Sequence, residues 1–278
     1  MAAKKTYIHQ DSSFLSTDTR KGRWAIPYSF DCLNARIEVL LDQHRDALAG
    51  KEIFDIGSHI GTFSYAALKL GARFTHGMDT EEKTVQRGTA LFKEHQIAES
   101  AYKFETGDVL TYLEQAGENC FDTILCFGML YYTPEPYRLL RLMVRAAKKT
   151  VLIDTFTAAY AAIQGKDALT IYPAIKDETL DLPLMLVSLT QAEKKDYRLP
   201  DSFERDGKEL SLTTLPTVAL LEIWFQSLGV KFTKLDWSEH TPRTLGFRDL
   251  YTPQQKKDSH WADVYACGVR VSYRLDKV

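Results

Sequence analysis

The sequence predicts an α/β fold built on a doubly wound, mostly parallel, seven-stranded Rossmann-like sheet. Between residues 51 and 155 the spacing of apolar residues alternates between a period of 2 and a period of 3.6, as in repeated βα units. The strand-like stretches are short and almost continuously apolar, which is typical of parallel strands covered on both faces. The 278-residue chain, with 45% hydrophobic residues, is also long enough to bury a large core.

The first half of this core contains three predicted strands and two predicted helices. Ala- and Leu-rich segments alternate with short β-branched or aromatic ones, and glycines separate them. Thr80 stands where the N-cap of the second helix belongs, followed by two glutamates that favour a helix N-terminus. The predicted strands are residues 52–56, 74–78 and 102–105, and the predicted helices are residues 62–70 and 81–95.

The second half continues the same alternation and then closes the sheet. Pro134 opens a helix after the apolar strand Phe121–Phe127, and proline is favoured at the first helical position. Further downstream, residues 264–273 alternate between two faces as a strand does. The remaining predicted elements are a helix at 134–147, a strand at 150–154, a helix at 214–228 and a strand at 231–235.

Four regions follow from these elements. Residues 1–50 form an N-terminal segment with one amphipathic helix at 31–49, and residues 51–155 form the core. Residues 156–212 interrupt the βα rhythm with scattered Pro, Lys and Asp, which indicates an insertion or lid. Residues 213–278 complete the sheet.

Charge and composition exclude several classes of function. The chain has 35 Lys and Arg against 37 Asp and Glu, so a polybasic nucleic-acid arm or an acidic tail is not its main feature. The four cysteines stand far apart, which argues against a disulfide framework or a zinc knuckle. The seven histidines show no metal-binding spacing, so we expect metal-independent chemistry and no metal ligands. No signal-peptide pattern and no apolar run of about 20 residues is present, which predicts a cytoplasmic protein without a membrane partner.

Ligands of such a sheet bind beyond the carboxyl ends of the strands. The first strand runs into Asp55, Gly57, Ser58, His59 and Gly61, a G-x-x-x-G turn after an acidic residue. This spacing differs from the G-x-G-x-x-G that cradles a diphosphate, so it favours a ligand without phosphate and disfavours an NAD-dependent dehydrogenase. The alternative is a turn that only packs the strand against the helix.

Acidic residues follow the next two strands. Asp79 can accept hydrogen bonds from both hydroxyls of a ribose, or it can belong to the cap of the next helix. Asp108 can accept a hydrogen bond from an adenine amino group while Val109 supplies an apolar edge. An aspartate in a Gly-Asp turn is also a common turn former.

The fourth strand ends in Phe127 and Gly128, and Tyr131 and Tyr132 follow before a proline-containing turn. Aromatic faces over the mouth of the sheet attract a cationic group such as a sulfonium, by roughly 0.5–2 kcal/mol. Packing of one ring under the loop is the alternative.

Together these motifs resemble the class I S-adenosylmethionine-dependent methyltransferases. The resemblance covers residues 50–155 well and the part after residue 213 more loosely, with His59 where the commoner G-x-G-x-G motif has its middle glycine. Residues 121–132 are similar to the carboxymethyl transferases that modify the tRNA wobble uridine, but the acidic balance of the chain does not favour their RNA substrate.

The resemblance implies S-adenosyl-L-methionine as cofactor, with S-adenosyl-L-homocysteine as product. It places residues 57–61 on the methionine part, Asp79 on the ribose, residues 108–109 around the adenine and residues 127–128 in the pocket wall. Trp24 of the N-terminal segment is expected to cover the cofactor, or else to staple the first helix. The predicted substrate contacts are Tyr28, Tyr131, Tyr132 and Tyr172.

The expected reaction is an in-line methyl transfer to a small-molecule acceptor. A general base is needed only where the acceptor carries a proton, and the candidates are His59, Tyr131, Tyr132 and Asp154. Two alternatives stay open, namely an RNA-modifying methyl or carboxymethyl transferase and a non-catalytic protein that binds the cofactor. The sequence also leaves a homo-oligomer open.

Overall fold

A computed structural model describes residues 5–15, 29–163, 176–194, 197–199, 201–241, 243–250 and 260–278. The strands of the described residues are β1 Glu52–Ile56, β2 Phe74–Asp79, β3 Tyr102–Thr106, β4 Phe121–Phe127, β5 Ala147–Phe156, β6 Met185–Gln191, β7 Glu193–Lys194, β8 Tyr197–Arg198, β9 Phe203–Arg205, β10 Lys208–Pro216, β11 Val230–Lys234 and β12 Arg270–Lys277. The helices are α1 Phe30–Leu40, α2 Thr62–Lys69, α3 Glu82–Glu94, α4 Val109–Gln115, α5 Pro136–Ala146, α6 Ala158–Ile163, α7 Asp177–Leu180, α8 Val218–Ser227 and α9 Asp263–Ala266.

Seven strands form the main sheet, in the order β11-β12-β5-β4-β1-β2-β3. Strands β1 to β5 pair in parallel. Strand β12 runs antiparallel to both β5 and β11. The predicted seven-stranded, mostly parallel sheet is therefore confirmed.

Successive residues of the central strands point into two separate cores. Ile53 of β1 packs with α1, α2 and α3 on one face of the sheet. Its neighbour Phe54 packs with α4, α5 and α8 on the other face. Because consecutive side chains of a strand alternate between faces, a doubly wound sheet favours apolar residues on both faces, and most residues of β1 and β4 are apolar.

The structure corrects several predicted boundaries, and the helix after β4 begins at Pro136 instead of Pro134. The helix predicted at 31–49 ends at Leu40 and continues as a 3-10 segment, Asp42–Ala47. Thr80 does not cap α3, whose N-cap is Glu81. Residues 214–216 belong to β10, because Pro216 ends that strand and Thr217 caps the helix that follows. Residues 264–269 are not part of the closing strand, since α9 and a left-handed Gly268 precede β12.

A second, antiparallel sheet follows β5 and consists of β6, β10 and β9. Strand β10 pairs with β6 along most of its length, from Leu210 to Pro216. The hydroxyl of Thr214 on β10 donates a 2.7 Å hydrogen bond to the carbonyl of Thr133, just after β4. This bond ties the small sheet to the end of the main sheet at which the strands finish.

Candidate active site at the carboxyl ends of the strands

The loop between β1 and α2 is built from left-handed residues. Gly57, His59 and Gly61 have φ angles of +64°, +50° and +77°. A Cβ atom on Gly61 would lie 2.4 Å from Cζ of Phe104, so only glycine fits there. The turn is closed by a 2.8 Å hydrogen bond from the Gly61 amide to the Ser58 carbonyl. The predicted glycines therefore stand where the backbone requires them, and α2 begins directly behind them.

Asp79 holds this loop in place. One carboxylate oxygen accepts the backbone amide of His59 at 2.9 Å, across the gap between β1 and β2. The other oxygen accepts the amide of Glu81 at 3.1 Å, at the start of α3. Each oxygen has a further lone pair, so the ribose role and the helix-cap role predicted for Asp79 are compatible.

Asp55 lies beneath the same loop and is 2% exposed. Its carboxylate accepts a 2.7 Å hydrogen bond from the hydroxyl of Ser64 on α2. Burial raises the pKa of Asp55 to about 7, and the nearby Asp79 adds to the rise while Ser64 opposes it. Asp55 therefore anchors the first turn of α2 from below and stays a prediction as a direct cofactor contact.

Asp108 caps the helix that follows β3. One carboxylate oxygen accepts both the backbone amide and the hydroxyl of Thr111, at 2.7 and 2.6 Å. Val109 is the buried first residue of α4. The turn-forming role that the sequence allowed for Asp108 is thus present, and its contact to adenine stays a prediction.

Residues 127–132 form the loop after β4. Gly128 has a φ of +82°, and its amide donates a 2.7 Å hydrogen bond to the Asp154 carbonyl on β5. Phe127 is buried edge-on against Phe63, with ring centroids 4.9 Å apart. The rings of Tyr131 and Tyr132 lie 4.4 Å apart, and Tyr131 is buried while its neighbour is half-buried. Tyr131 thus packs under the loop, which was the alternative interpretation for one of the two rings.

Asp154 is fully buried at the end of β5 and accepts hydrogen bonds from several groups. Arg36 Nη2 donates at 2.7 Å, and Arg270 donates through Nε and Nη2 at 2.9 and 2.7 Å. The hydroxyl of Ser272 donates to the other oxygen at 2.9 Å. Burial alone would raise the pKa of Asp154, but the two guanidiniums outweigh burial and hold the pKa below its usual range.

Sequence reasoning missed Arg36 and Arg270. Arg36 lies in α1, more than 100 residues before Asp154, and nothing local links the two positions. Arg270 and Ser272 share one face of the closing strand, and both point at Asp154. Two polar residues spaced two apart on the closing strand, and so on one face of it, were the available signal for this cluster.

The predicted contacts Trp24, Tyr28 and Tyr172 lie outside the described residues. Among the residues described, no group of three or more His, Cys, Asp or Glu side chains is arranged to hold a metal ion. The same residues include no helix long and apolar enough to cross a membrane.

The loop after β1 fits a polar ligand. The hydroxyl oxygens of Ser58 and Thr62 are buried and have no hydrogen-bond partner among the described residues. The amides of Thr62 and Phe63, the first two residues of α2, have no intrahelical acceptor, whereas the amide of Ser64 donates to Asp55. Buried hydroxyls that lack partners are uncommon. The Ser58 oxygen faces β2, where a Cβ atom on Gly77 would come within 2.8 Å of it, so the amides at the start of α2 are the donors that a ligand in this loop would meet first.

Comparison with known proteins identifies the family of this chain. A family described as "Methyltransferase domain" matches residues 48–197, more than half of the chain. The ubiquinone biosynthesis O-methyltransferase of Idiomarina loihiensis is 31% identical over 110 residues, which are 39% of this chain and 42% of that protein. The tRNA U34 carboxymethyltransferase of Campylobacter hominis is 30% identical over 130 residues, 46% of this chain and 42% of that protein. The chain therefore spans less than half the length of these relatives.

Solved structures share the fold. An S-adenosylmethionine dependent methyltransferase from Mesorhizobium loti matches with a TM-score of 0.53 and 15% identity, over 87% of this chain and 98% of that one. The N-terminal domain of EvdMO1, solved with S-adenosylhomocysteine and D-fucose, matches with a TM-score of 0.54 and 16% identity, over 85% and 81% of the two chains. The matched family, the strand order and the glycine loop after β1 lead to one conclusion: this chain belongs to the methyltransferase domain family, within the class I S-adenosylmethionine-dependent methyltransferases.

Proposed function

We propose that this S-adenosylmethionine-dependent methyltransferase acts on a small-molecule acceptor, held beside the ends of β4 and β5. The observation that carries the proposal is an apolar cluster around those strand ends. It joins Tyr131 and Phe156 to Leu215 of the small sheet and to Leu250 and Val264 of the C-terminal region. The cluster lies beside the carboxyl ends of β4 and β5, the edge of an open α/β sheet at which ligands bind, and its apolar residues suit an organic acceptor better than a polyanion.

In this proposal the methyl donor binds at the carboxyl ends of β1, β2 and β3. The loop of residues 57–61 and the start of α2 face its methionine part, Asp79 its ribose and residues 108–109 its adenine. Phe127 and Gly128 separate these strand ends from the acceptor side. When bound, the donor supplies a methyl group on a positively charged sulfur.

The protein contributes alignment and exclusion of water, which together lower the barrier of an in-line displacement by several kcal/mol. A base is needed only for an acceptor that carries a proton at its reacting atom. His59, Tyr131 and Tyr132 stay candidates for that role. Asp154 is a poor base, because two guanidiniums and a serine already occupy its oxygens.

An RNA acceptor is the second candidate, favoured by the similarity to the Campylobacter hominis tRNA U34 carboxymethyltransferase. Phosphate contacts dominate RNA affinity and require a basic surface. The chain has a net charge of -2, and several of its exposed arginines, among them Arg138 and Arg243, pair with carboxylates of the protein. These charges favour the small-molecule acceptor.

A thermal-shift comparison tests the donor site first. S-adenosylhomocysteine at about 100 times its Kd adds ~2.7 kcal/mol to the free energy of unfolding, which raises the Tm by about 5–10 °C. NAD should produce no shift. Asp79→Ala should lose most of the shift, whereas Asp206→Ala, on the exposed β9–β10 turn, should keep it. Equal shifts in both variants would remove Asp79 from the donor site.

Transfer of label from methyl-labelled S-adenosylmethionine then tests the acceptor class. The acceptors are two fractions of one cell extract, the molecules below about 1 kDa and the purified total tRNA. We expect label in the small-molecule fraction and none in the tRNA. Label in the tRNA alone would establish the second candidate and refute the first.

A further inference from the structure

Two buried guanidiniums share a single carboxylate at the end of β5. The side chains of Arg36 and Arg270 are 3% and 4% exposed, and both donate to Asp154. Among the described residues, Asp154 is the one carboxylate that forms an ion pair with either arginine. The cluster therefore contains two positive charges and one negative charge, which leaves one positive charge unbalanced. Buried charges in proteins are normally paired.

One donor of this cluster is also unused. The Nε atom of Arg36 is buried and has no hydrogen-bond partner among the described residues. The face of its guanidinium lies over the ring of Phe63, with Cζ 4.8 Å from the ring centroid, so the ring supplies no hydrogen-bond acceptor. An unpaired donor on an uncompensated charge indicates that an anion completes the cluster.

The cluster lies on the ligand side of the sheet. Arg270 Nη2 borders the loop after β4, where a Cβ atom on Gly128 would come within 3.3 Å of it. The same guanidinium lies over the ring of Phe156, at 4.7 Å from Cζ to the centroid, in the apolar cluster of the proposed acceptor site. Arg270 therefore borders the space that the proposed function assigns to the acceptor, and Arg36 is joined to it through the carboxylate that they share, Asp154.

We propose that Arg36 and Arg270 bind a carboxylate of the acceptor, so that the substrate class is small carboxylic acids. This inference rests on the proposed function, because it concerns the same acceptor space. One negative charge matches the one unbalanced positive charge, whereas a phosphate monoester carries between about 1.5 and 2. The planar fork of a guanidinium also suits a carboxylate, which it can hold through two parallel hydrogen bonds.

The geometry favours the acceptor over the amino-acid end of the donor. Strand β4 lies between β5 and β1, so β5 is two strand spacings, roughly 9–10 Å, from the strand that carries the donor loop. The donor loop has its own hydrogen-bond donors for the methionine part, in the amides of Thr62 and Phe63 at the start of α2. Arg36 reaches toward α2, where its guanidinium lies over Phe63. We therefore assign the anion to the acceptor on the position of Arg270, beside Gly128 and Phe156.

Calorimetry with simple probes tests the proposal on the full chain saturated with S-adenosylhomocysteine. Acetate and benzoate are compared with acetamide and benzamide, which keep the shape and lose the charge. We expect each carboxylate to bind at least tenfold more tightly than its amide. Equal affinities of the carboxylates and amides for the native protein would overturn the proposal without any variant.

Two substitutions then change the charge in opposite directions. Arg270→Gln should abolish the preference for carboxylates, and Asp154→Asn should increase it by tenfold or more, because it removes the competing anion. A purely structural ion-pair cluster predicts that both variants lose stability and that neither changes the carboxylate-to-amide ratio. Circular dichroism checks that each variant folds. If a variant does not fold, Arg36→Lys is measured in its place.

Donor affinity separates the two sources of the carboxylate. S-adenosylhomocysteine is compared with 5′-methylthioadenosine, which lacks the amino acid, in the native protein and in Arg270→Gln. Unchanged affinities for both ligands support the acceptor assignment. A loss confined to S-adenosylhomocysteine would place the donor's carboxylate at Arg270 and overturn the proposal. Failure of S-adenosylhomocysteine to bind the native protein would instead refute the donor site.

Discussion

Asp55 is a buried carboxyl group whose proton has a measurable effect on stability. Its pKa is about 7 in the folded chain and about 4 in an unfolded one. Between these two values the folded state keeps a proton that the unfolded state has lost. The contribution of Asp55 to the free energy of unfolding therefore falls as the pH rises from about 4 to about 7.

Asp55→Asn should remove this dependence, because asparagine does not titrate and its oxygen can still accept the Ser64 hydroxyl. We expect the variant to gain stability relative to the native chain as the pH rises, by a few kcal/mol between pH 4 and pH 7.5. Urea unfolding at several pH values measures the difference. Asp206→Asn on the exposed β9–β10 turn is the control. A constant difference between native chain and Asp55→Asn would contradict the assignment.

Residue positions at strand ends were predictable, and residues brought in from distant elements were not. Asp55 and Asp79 lie at the ends of strands that the local pattern identifies, and Gly61 follows the first of these strands, so parallel pairing places all three at one edge. Arg36 comes from a helix before the core and Arg270 from a strand after it. No spacing in the sequence links these two to Asp154, because tertiary packing alone joins them.

The loop between β1 and α2 depends on the absence of a side chain at its last residue. In Gly61→Ala the left-handed backbone costs about 1 kcal/mol, and the contact of the new Cβ with Phe104 adds about 1–3 kcal/mol. Gly229 is a matched control, because its φ is +68° and no atom lies within 4 Å of a Cβ built there.

Gly229→Ala should therefore cost only about 1 kcal/mol and leave affinity for S-adenosylhomocysteine unchanged. Gly61→Ala should lose more stability and weaken S-adenosylhomocysteine binding at least tenfold. Denaturant unfolding and calorimetry measure the two effects. Equal losses in the two variants would show that the backbone angle alone matters, and not the approach of Phe104.

Thr217 connects α8 to the segment that precedes the small sheet. Its hydroxyl accepts the amide of Leu220 at 3.3 Å and that of Leu184 at 3.2 Å, and it donates to the carbonyl of Leu182 at 2.6 Å. Thr217→Ala should destabilise the chain by about 2 kcal/mol, because it removes an N-cap and leaves buried groups unpaired. Thr217→Ser, which keeps the hydroxyl, should recover most of that loss in urea unfolding. A loss of equal size in Thr217→Ser would exclude the hydroxyl as the cause.

Element boundaries were predicted well inside the repeated βα units and less well at the chain's later turns. The strand predicted at 121–127 has the same bounds in the structure. The strand predicted at 264–273 contains α9 instead in its first part. Residues 264–269 alternate in hydropathy, but Gly268 adopts a φ of +71° that ends the helix and delays the strand to Arg270. A short helix and a short strand cannot be separated by periodicity alone.

At the scale of the molecule, the fold class was predictable and the direction of the closing strand was not. The alternation of elements fixes a parallel arrangement for β1 to β5, since each crossover contains a helix. Strand β12 enters between β5 and β11 and runs against both of them. Its insertion depends on contacts with residues more than 100 positions earlier, which a local pattern does not report.

Deletion of residues 270–278 should abolish cooperative folding. Strand β12 supplies Tyr273, one of the largest fully buried side chains, and its loss would leave β5 without a neighbour on that side and β11 without a partner. Near-ultraviolet circular dichroism during urea titration measures the transition. Deletion of Val278 alone, which is 91% exposed, is the control and should leave the transition unchanged. A cooperative transition in the longer deletion would show that the other six strands suffice.

The two outer strands of the main sheet, β3 and β11, also bear on how copies of this chain meet one another. Lys103 on β3 pairs with Glu105 at 2.8 Å, and Lys231 and Lys234 on β11 are exposed. A strand added by a neighbouring copy would have to desolvate these charges, which is how natural sheets resist edge-to-edge aggregation. Even at high concentration, then, the main sheet is protected at both edges against growing into a continuous intermolecular one.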